Sequence, residues 1–168
     1  MRNSGFIAPP APAADTLFGE AVLWAGDIVV ETGPVRMNTI LGSCVSVCLF
    51  DTVHGFGGMN HHLVPRGGKV PIHGDWAVAR LIALMHEHGA SNRGLQAKVF
   101  GGGSPLRLAN EDYAVGPENV IVAREVLAAH GIPIVAERVH HNGGLRIYFE
   151  NWTGTVWLRR PDTGNNHE

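Results

Sequence analysis

Two thiols and a pair of histidines are the side chains with the most chemistry to offer at short sequence range. Cys44 lies in "LGSCVSVCLF", residues 41–50, with Cys48 four positions on, and His61 and His62 close "GGMNHH". Gly42 and Ser43 put no bulky side chain over the backbone before Cys44. A thiol at such a turn-to-strand junction would be accessible, with N–H groups nearby to hold an oxyanion. It would also need a neighbour that takes its proton, because the thiolate is the nucleophile. The opposing reading is that Cys44 is simply a buried small hydrophobe, as free cysteines commonly are.

The segment between the cysteines and the histidines supplies a neighbour. "VSVCLFDTVHGFGGMNHHLVP" reads as two apolar strands joined at Asp51–Gly55, a β-hairpin. A turn centred near Thr52 or Val53 sets Cys44 opposite His61 or His62. Directly opposed residues share a face, with Cβ atoms roughly 4.5–5.5 Å apart. Periodicity leans to His62, but a one-residue change of register reverses the choice. On physical grounds both remain open.

Other constellations are weaker. Cys44 and Cys48 with His61 or His62 could form a mixed zinc set, but the two thiols lie along one strand and not around a tight loop. His140 and His141 are adjacent, so on a strand only one could join a site. "FGGGSP" follows a strand but lacks the Lys-Ser/Thr of a phosphate loop. Gly101–Gly103 are better read as a sharp turn or a close packing contact. Cys48 reads as an inert packed thiol.

The elements that must hold these residues are mixed. Strands are expected around "AVLWAGDIVVETG", in the hairpin, over "AKVFGGG" and in three runs of "IPIVAERVHHNGGLRIYFENWTGTVWLRR", with "NWTG" as a turn. Helices are expected over 75–88, with Asp75 as N-cap and Gly89 at C′, and over 117–130, with Pro117 first and Gly131 as the stop. "SPLRLANEDYAVG" reads as surface loop. Strands, helix, strand, helix, strands point to an α+β domain with mixed sheets and helices on an outer face.

The 168 residues are 45% hydrophobic and 17% charged with net charge −2, which suits one globular domain and leaves no basic stripe for nucleic acid. The expected organisation is an Ala/Pro-rich tail at 1–17, a single domain at 18–160 and a short tail at 161–168. Prolines 9, 10 and 12 break any signal-peptide core, and no stretch reaches the ~18 apolar residues of a membrane span. Two free cysteines suit a reducing, cytoplasmic setting without membrane insertion.

In combination, "TILGSCVSVCLFD", "GGMNHHLVP", "DWAVARLIALM", "AKVFGGGS" and "GPENVIVAREVLAAHGIPIVAE" resemble the bacterial chemoreceptor glutamine deamidases of the CheD family, over about residues 20–160. The resemblance implies a layered α/β/β/α sandwich, similar to the catalytic domain of cytotoxic necrotizing factor toxins. It also implies Cys44 as nucleophile, His61 as its base, Thr39 as the residue orienting that base, and no cofactor. The implied substrates are methyl-accepting chemotaxis receptors, with a CheC-type phosphatase as a further partner in some bacteria. A regulatory module that only docks on receptors or on such a phosphatase is the alternative. The chain departs from the family pattern at "AERVHHNGG". There Arg138, His140 and His141 precede the Gly-Gly where the family tends to carry an acidic residue.

Overall fold

A computed structural model describes residues 17–104 and 115–161. The strands are β1 (Gly19–Val22), β2 (Ile28–Glu31), β3 (Val35–Leu41), β4 (Val45–Asp51), β5 (Phe56–Asn60), β6 (Leu95–Gly101), β7 (Ile134–Val139), β8 (Leu145–Glu150) and β9 (Thr155–Arg159). The helices are α1 (Gly74–Glu87) and α2 (Val115–Ala129). Strands β1-β3-β8-β9 form one sheet and β2-β5-β4-β6-β7 the other. Each contains one parallel pair, β1 with β3 and β6 with β7.

Alternation along β4 explains the layers. Val45, Val47 and Leu49 point to one side and pack with Val78, Leu81, Ile82 and Met85 of α1 and Val120, Ala123 and Leu127 of α2. Cys48 points to the other side. It meets Met59 of β5, Phe100 of β6, Met37 and Leu41 of β3, and Leu145, Ile147 and Phe149 of β8. A strand buried on both faces reads as a near-continuous apolar run, as "VSVCLF" does. Each large side chain buried here contributes roughly 1.5–3 kcal/mol. Among the described residues both helices cover the five-stranded sheet, so the observed layer order is α/β/β. The mixed-sheet α+β class is as expected. The second outer helix layer of the expected α/β/β/α sandwich is not found among the described residues.

Several local expectations shift. "VRMNTIL", not read as a strand from its sequence, is β3, paired with both β1 and β8. Its alternation is obscured by Thr39, a polar residue on the inner face, and by Ile40, an apolar residue on the outer face, where Arg36 and Asn38 also lie. There Arg36 pairs with Glu150 at 2.8 Å. The N-cap of α1 is His73, not Asp75. The carbonyls of Val64 and Pro65 accept from the first-turn N–H groups of Gly74 and Asp75, so no side-chain cap is required. Asp75 instead sits in the first turn, where its charge favours the helix N-terminus. Helix α2 already includes Val115 and Gly116 ahead of Pro117. A Cβ at position 116 would lie 2.7 Å from the carbonyl oxygens of Gly102 and Gly103, so the helix start packs directly on the glycine turn. The loop expected at "SPLRLANEDYAVG" lies largely outside the described residues, as do nearly all of the two expected tails. Among the described residues no helix is long and apolar enough to cross a membrane.

Candidate active site

The hairpin register selects between the two histidines. Cys48 pairs with Met59 and Asp51 with Phe56, and the same register continues to an isolated bridge between Val45 and His62. There Val45 N donates to His62 O at 3.1 Å and His62 N to Val45 O at 2.9 Å. The turn is therefore centred between Val53 and His54, later than either centre considered from the sequence. Its geometry comes from Asp51, whose Oδ1 accepts from Val53 N at 2.8 Å and whose carbonyl accepts from Gly55 N at 2.9 Å. Gly55 takes φ +71°, in the left-handed region that glycine enters without strain. Cys44 then stands opposite Leu63, and His61 opposite Ser46. Cys44, Ser46, Cys48, Met59 and His61 share the face toward the four-stranded sheet. His62 lies on the other face, with the helices. His61 is diagonal to Cys44, within range of a long side chain.

Thr39 reaches His61 from the other sheet. It alternates with the fully buried Met37 and Leu41 on the inner face of β3 and is 2% exposed. Its hydroxyl donates to the Leu23 carbonyl at 2.7 Å, and Oγ1 lies 2.8 Å from His61 Nδ1. The hydroxyl has one proton, and a carbonyl can only accept. Oγ1 must therefore accept from Nδ1–H. That sets the tautomer, with the lone pair on Nε2, which is buried and has no partner among the described residues. Burial holds the imidazole below its ordinary 6.5, opposed in part by the Leu23 carbonyl and the Asp27 carboxylate. The ring is neutral at neutral pH and can act as a base.

The backbone before Cys44 is clamped. Gly103 N donates to Gly42 O at 2.8 Å, Asn119 Nδ2 to Ser43 O at 3.0 Å, and Gly102 N to Cys44 O at 2.9 Å. In a trans peptide the N–H points opposite to the C=O. Pinning the carbonyls of Gly42 and Ser43 thus turns the N–H groups of Ser43 and Cys44 away from the glycine turn and Asn119. Close approach is the role of the glycines, as expected from "FGGGSP": a Cβ on Gly101 would lie 2.1 Å from Cys44 O. The Cys44 side chain is half-buried. Burial raises its pKa above the ordinary 9.0, while its own backbone N–H acts in the opposite direction.

A second polar set went unread in the sequence. His62 Nε2 donates to the Asn119 carbonyl at 3.2 Å, which leaves Nδ1 to accept from Asn60 Nδ2 at 3.0 Å. Asn119 Nδ2 donates to both Ser43 O and Leu63 O, each at 3.0 Å. The ring of His62 fills the junction of α1 and α2, since a Cβ on Gly74 would lie 2.7 Å from His62 Cδ2 and from Val122 Cγ1. The available signal was Asn119 itself, an amide at helical spacing among Gly116, Val120, Val122 and Ala123 on the buried face of α2. His62 therefore braces the loop that carries Cys44. It cannot converge with Cys44 and Cys48 on an ion, because both thiols lie on the opposite face. Among the described residues no group of three or more His, Cys, Asp or Glu could hold a metal ion.

The sequence is similar to proteins of one known family. A family model described as "CheD chemotactic sensory transduction" matches residues 66–160. The "Probable chemoreceptor glutamine deamidase CheD" of Rhodospirillum rubrum is 41% identical over 140 residues, covering 82% of this chain and 80% of that protein. The chain belongs to the CheD family. The protein of that name from Thermococcus kodakarensis is 38% identical over 153 residues, covering 86% of this chain and 95% of its own length. "Probable chemoreceptor glutamine deamidase CheD 2" of Geobacter sulfurreducens is 35% identical over 137 residues, covering 80% and 86%. Alignments of this extent are too long to leave out residues 39–61, so the likeness includes the hairpin and β3. In this CheD-family chain two arginines line a cleft at the end of β7, the edge strand beyond β6. This cleft of about 330 Å³ is lined by Arg138, His140, His141 and Arg160 together with Asn142.

Proposed function

We propose that the chain is a protein-glutamine deamidase acting on methyl-accepting chemotaxis receptors, with Cys44 as nucleophile, His61 as base and Thr39 as the residue that orients it. The observation that carries this reading is the Leu23–Thr39–His61 chain of hydrogen bonds, which leaves Nε2, without a partner among the described residues, on the face of the hairpin that also bears Cys44. Family membership and the names of the relatives support the substrate class.

His61 Nε2 takes the Sγ proton as sulfur attacks the side-chain carboxamide carbon of a glutamine, forming the C–S bond. The negative charge moves to the carboxamide oxygen, where the N–H groups of Ser43 and Cys44 stabilise it. Each such donor is typically worth about 2.7–4 kcal/mol. The C–N bond then breaks, and ammonia departs with the proton held by His61. Water, deprotonated by the same nitrogen, attacks the thioester, releasing glutamate and restoring the thiol. At neutral pH the raised Cys44 and lowered His61 pKa values favour thiol and neutral imidazole, so proton transfer accompanies attack.

The test is incubation with receptor cytoplasmic fragments, followed by mass spectrometry for a gain of about 1 Da per glutamine converted. Deamidation that continues unchanged in Cys44→Ala overturns the mechanism.

A further inference from the structure

We propose that the cleft bounded by Arg138, His140, His141 and Arg160 is a subsite for acidic side chains flanking the glutamine presented to Cys44. This rests on the deamidase reading above and adds the charge preference of its substrate.

The chain carries a net charge of −2, so its overall charge does not attract anions. The cleft reverses that sign locally: the guanidinium groups of Arg138 and Arg160 line it, and among the described residues no carboxylate does. Its walls are held by backbone contacts. His140 adopts φ +55° and its N–H donates to Gly101 O at 3.1 Å, while Ser104 N donates to His141 O at 3.4 Å. His141 Nδ1 donates to Gly143 O at 2.8 Å, and its Nε2 is buried without a partner among the described residues. Burial holds the His141 imidazole below its ordinary 6.5; the Gly143 carbonyl opposes that, and Arg138 and His140 add to it. With His141 neutral and its Nδ1–H committed to Gly143 O, the guanidinium groups supply the charge that an anion would meet.

The cleft is also next to the nucleophile loop. Gly103 donates to Gly42 O, and a Cβ on Gly103 would lie 2.6 Å from His141 O and 2.8 Å from its Cε1. One glycine thus separates His141 from the peptide that leads into Cys44. On the other side Leu145, at the rim, pairs with Leu41. A substrate segment with its glutamine at Cys44 needs only a few residues to reach the cleft. Guanidinium groups suit carboxylates at such a place because they bind them through two parallel hydrogen bonds.

The experiment uses the full chain carrying Cys44→Ala, so that binding is read without turnover, and two fluorescent peptides with one glutamine each. One has glutamates flanking the glutamine, and the other has serines in their place. Fluorescence anisotropy is expected to show the acidic peptide binding about three- to tenfold tighter at low salt, with the advantage shrinking as salt screens the exposed charges. Adding Arg138→Gln and His140→Gln, or separately Arg160→Gln, is expected to bring the two affinities together. Circular dichroism verifies that each variant is folded. Equal affinities in the parent protein, or an advantage that survives both sets of substitutions, overturn the proposal. So does inorganic phosphate that displaces both peptides equally, because that places a small free anion in the cleft. A parent enzyme with Cys44 intact that binds the acidic peptide selectively yet deamidates neither peptide defeats the deamidase reading and leaves the anion subsite standing.

Discussion

Thr39 Oγ1 lies 2.8 Å from His61 Nδ1 and gives its own proton to the Leu23 carbonyl at 2.7 Å. A residue of the four-stranded sheet thereby sets the tautomer of a histidine at the end of a strand in the five-stranded sheet. The hydrogen bond crosses between the two sheets, close to the apolar layer they share. Replacing Thr39 by valine keeps the shape and removes the acceptor. The imidazole can then turn or take the other tautomer, and kcat is expected to fall about a hundredfold, while Thr39→Ser retains most activity. Steady-state kinetics of the three proteins on one receptor fragment checks this. Equal rates for valine and serine would remove Thr39 from the mechanism.

The pH profile should carry the signature of a buried base. His61 must be unprotonated to accept the thiol proton, so kcat/KM falls as pH drops through its pKa. Burial places that pKa below 6.5, so the acid limb is expected below 6.5. The Asp27 carboxylate raises the pKa, so Asp27→Asn is expected to move the limb to still lower pH. A limb above 6.5, or one that moves upward in Asp27→Asn, would contradict the assignment.

The two thiols should separate by reactivity. Cys48 is 1% exposed in the layer between the sheets, and burial holds its pKa far above the ordinary range, with Lys98 opposing. Cys44 is half-buried at the end of the strand. Iodoacetamide is expected to label Cys44 first, at a rate that climbs with pH because burial keeps this pKa above 9.0. Cys48→Ala should remain active and lose about 1–2 kcal/mol of stability through a small cavity. Peptide mapping after alkylation and denaturant titration measure the two effects.

His62 should report in stability where His61 reports in catalysis. Burial pushes the His62 imidazole down to about 4 from an ordinary 6.5; the Asn119 carbonyl and Asp75 oppose that, and His61 reinforces it. Between about 6.5 and about 4 the unfolded chain takes up a proton here that the folded chain does not. Stability therefore falls as pH falls through this window, by up to about 3 kcal/mol, and this contribution levels off below it. Denaturant unfolding across the window should show the slope, and His62→Gln should flatten it. An unchanged slope in that variant would place the titrating group elsewhere.

Asn119 donates to Ser43 O and Leu63 O at once, which an aspartate could not do. Asn119→Ala is expected to cost roughly 1–3 kcal/mol through unsatisfied buried carbonyls. Asn119→Asp should cost more, because it adds a buried acceptor facing acceptors. Both variants should lower kcat by loosening the peptides at Ser43 and Cys44. Thermal melts and kinetics on the same samples test the pair. Alanine as the worse of the two would contradict this arrangement of donors.

Much of this was legible along the chain. Gly42-Ser43 before Cys44, the apolar runs on either side of Asp51–Gly55 and the glycine stops at Gly89 and Gly131 are local signals. The hairpin and both helices therefore followed from them. β3 was not legible. Its inward Thr39 and outward Ile40 break the apolar alternation, and its partner β8 comes from a distant part of the sequence. Side chains alternate with period two along a strand, so the identity of the histidine beside Cys44 depended on one residue of register. Only the Asp51-anchored turn, centred between Val53 and His54, set that register and turned His61 toward Thr39 and His62 toward Asn119. Sequence determined which residues could react and which elements would carry them. Tertiary structure decided which face each occupied, because strand pairing and the contact between two sheets are long-range relations that no local spacing encodes.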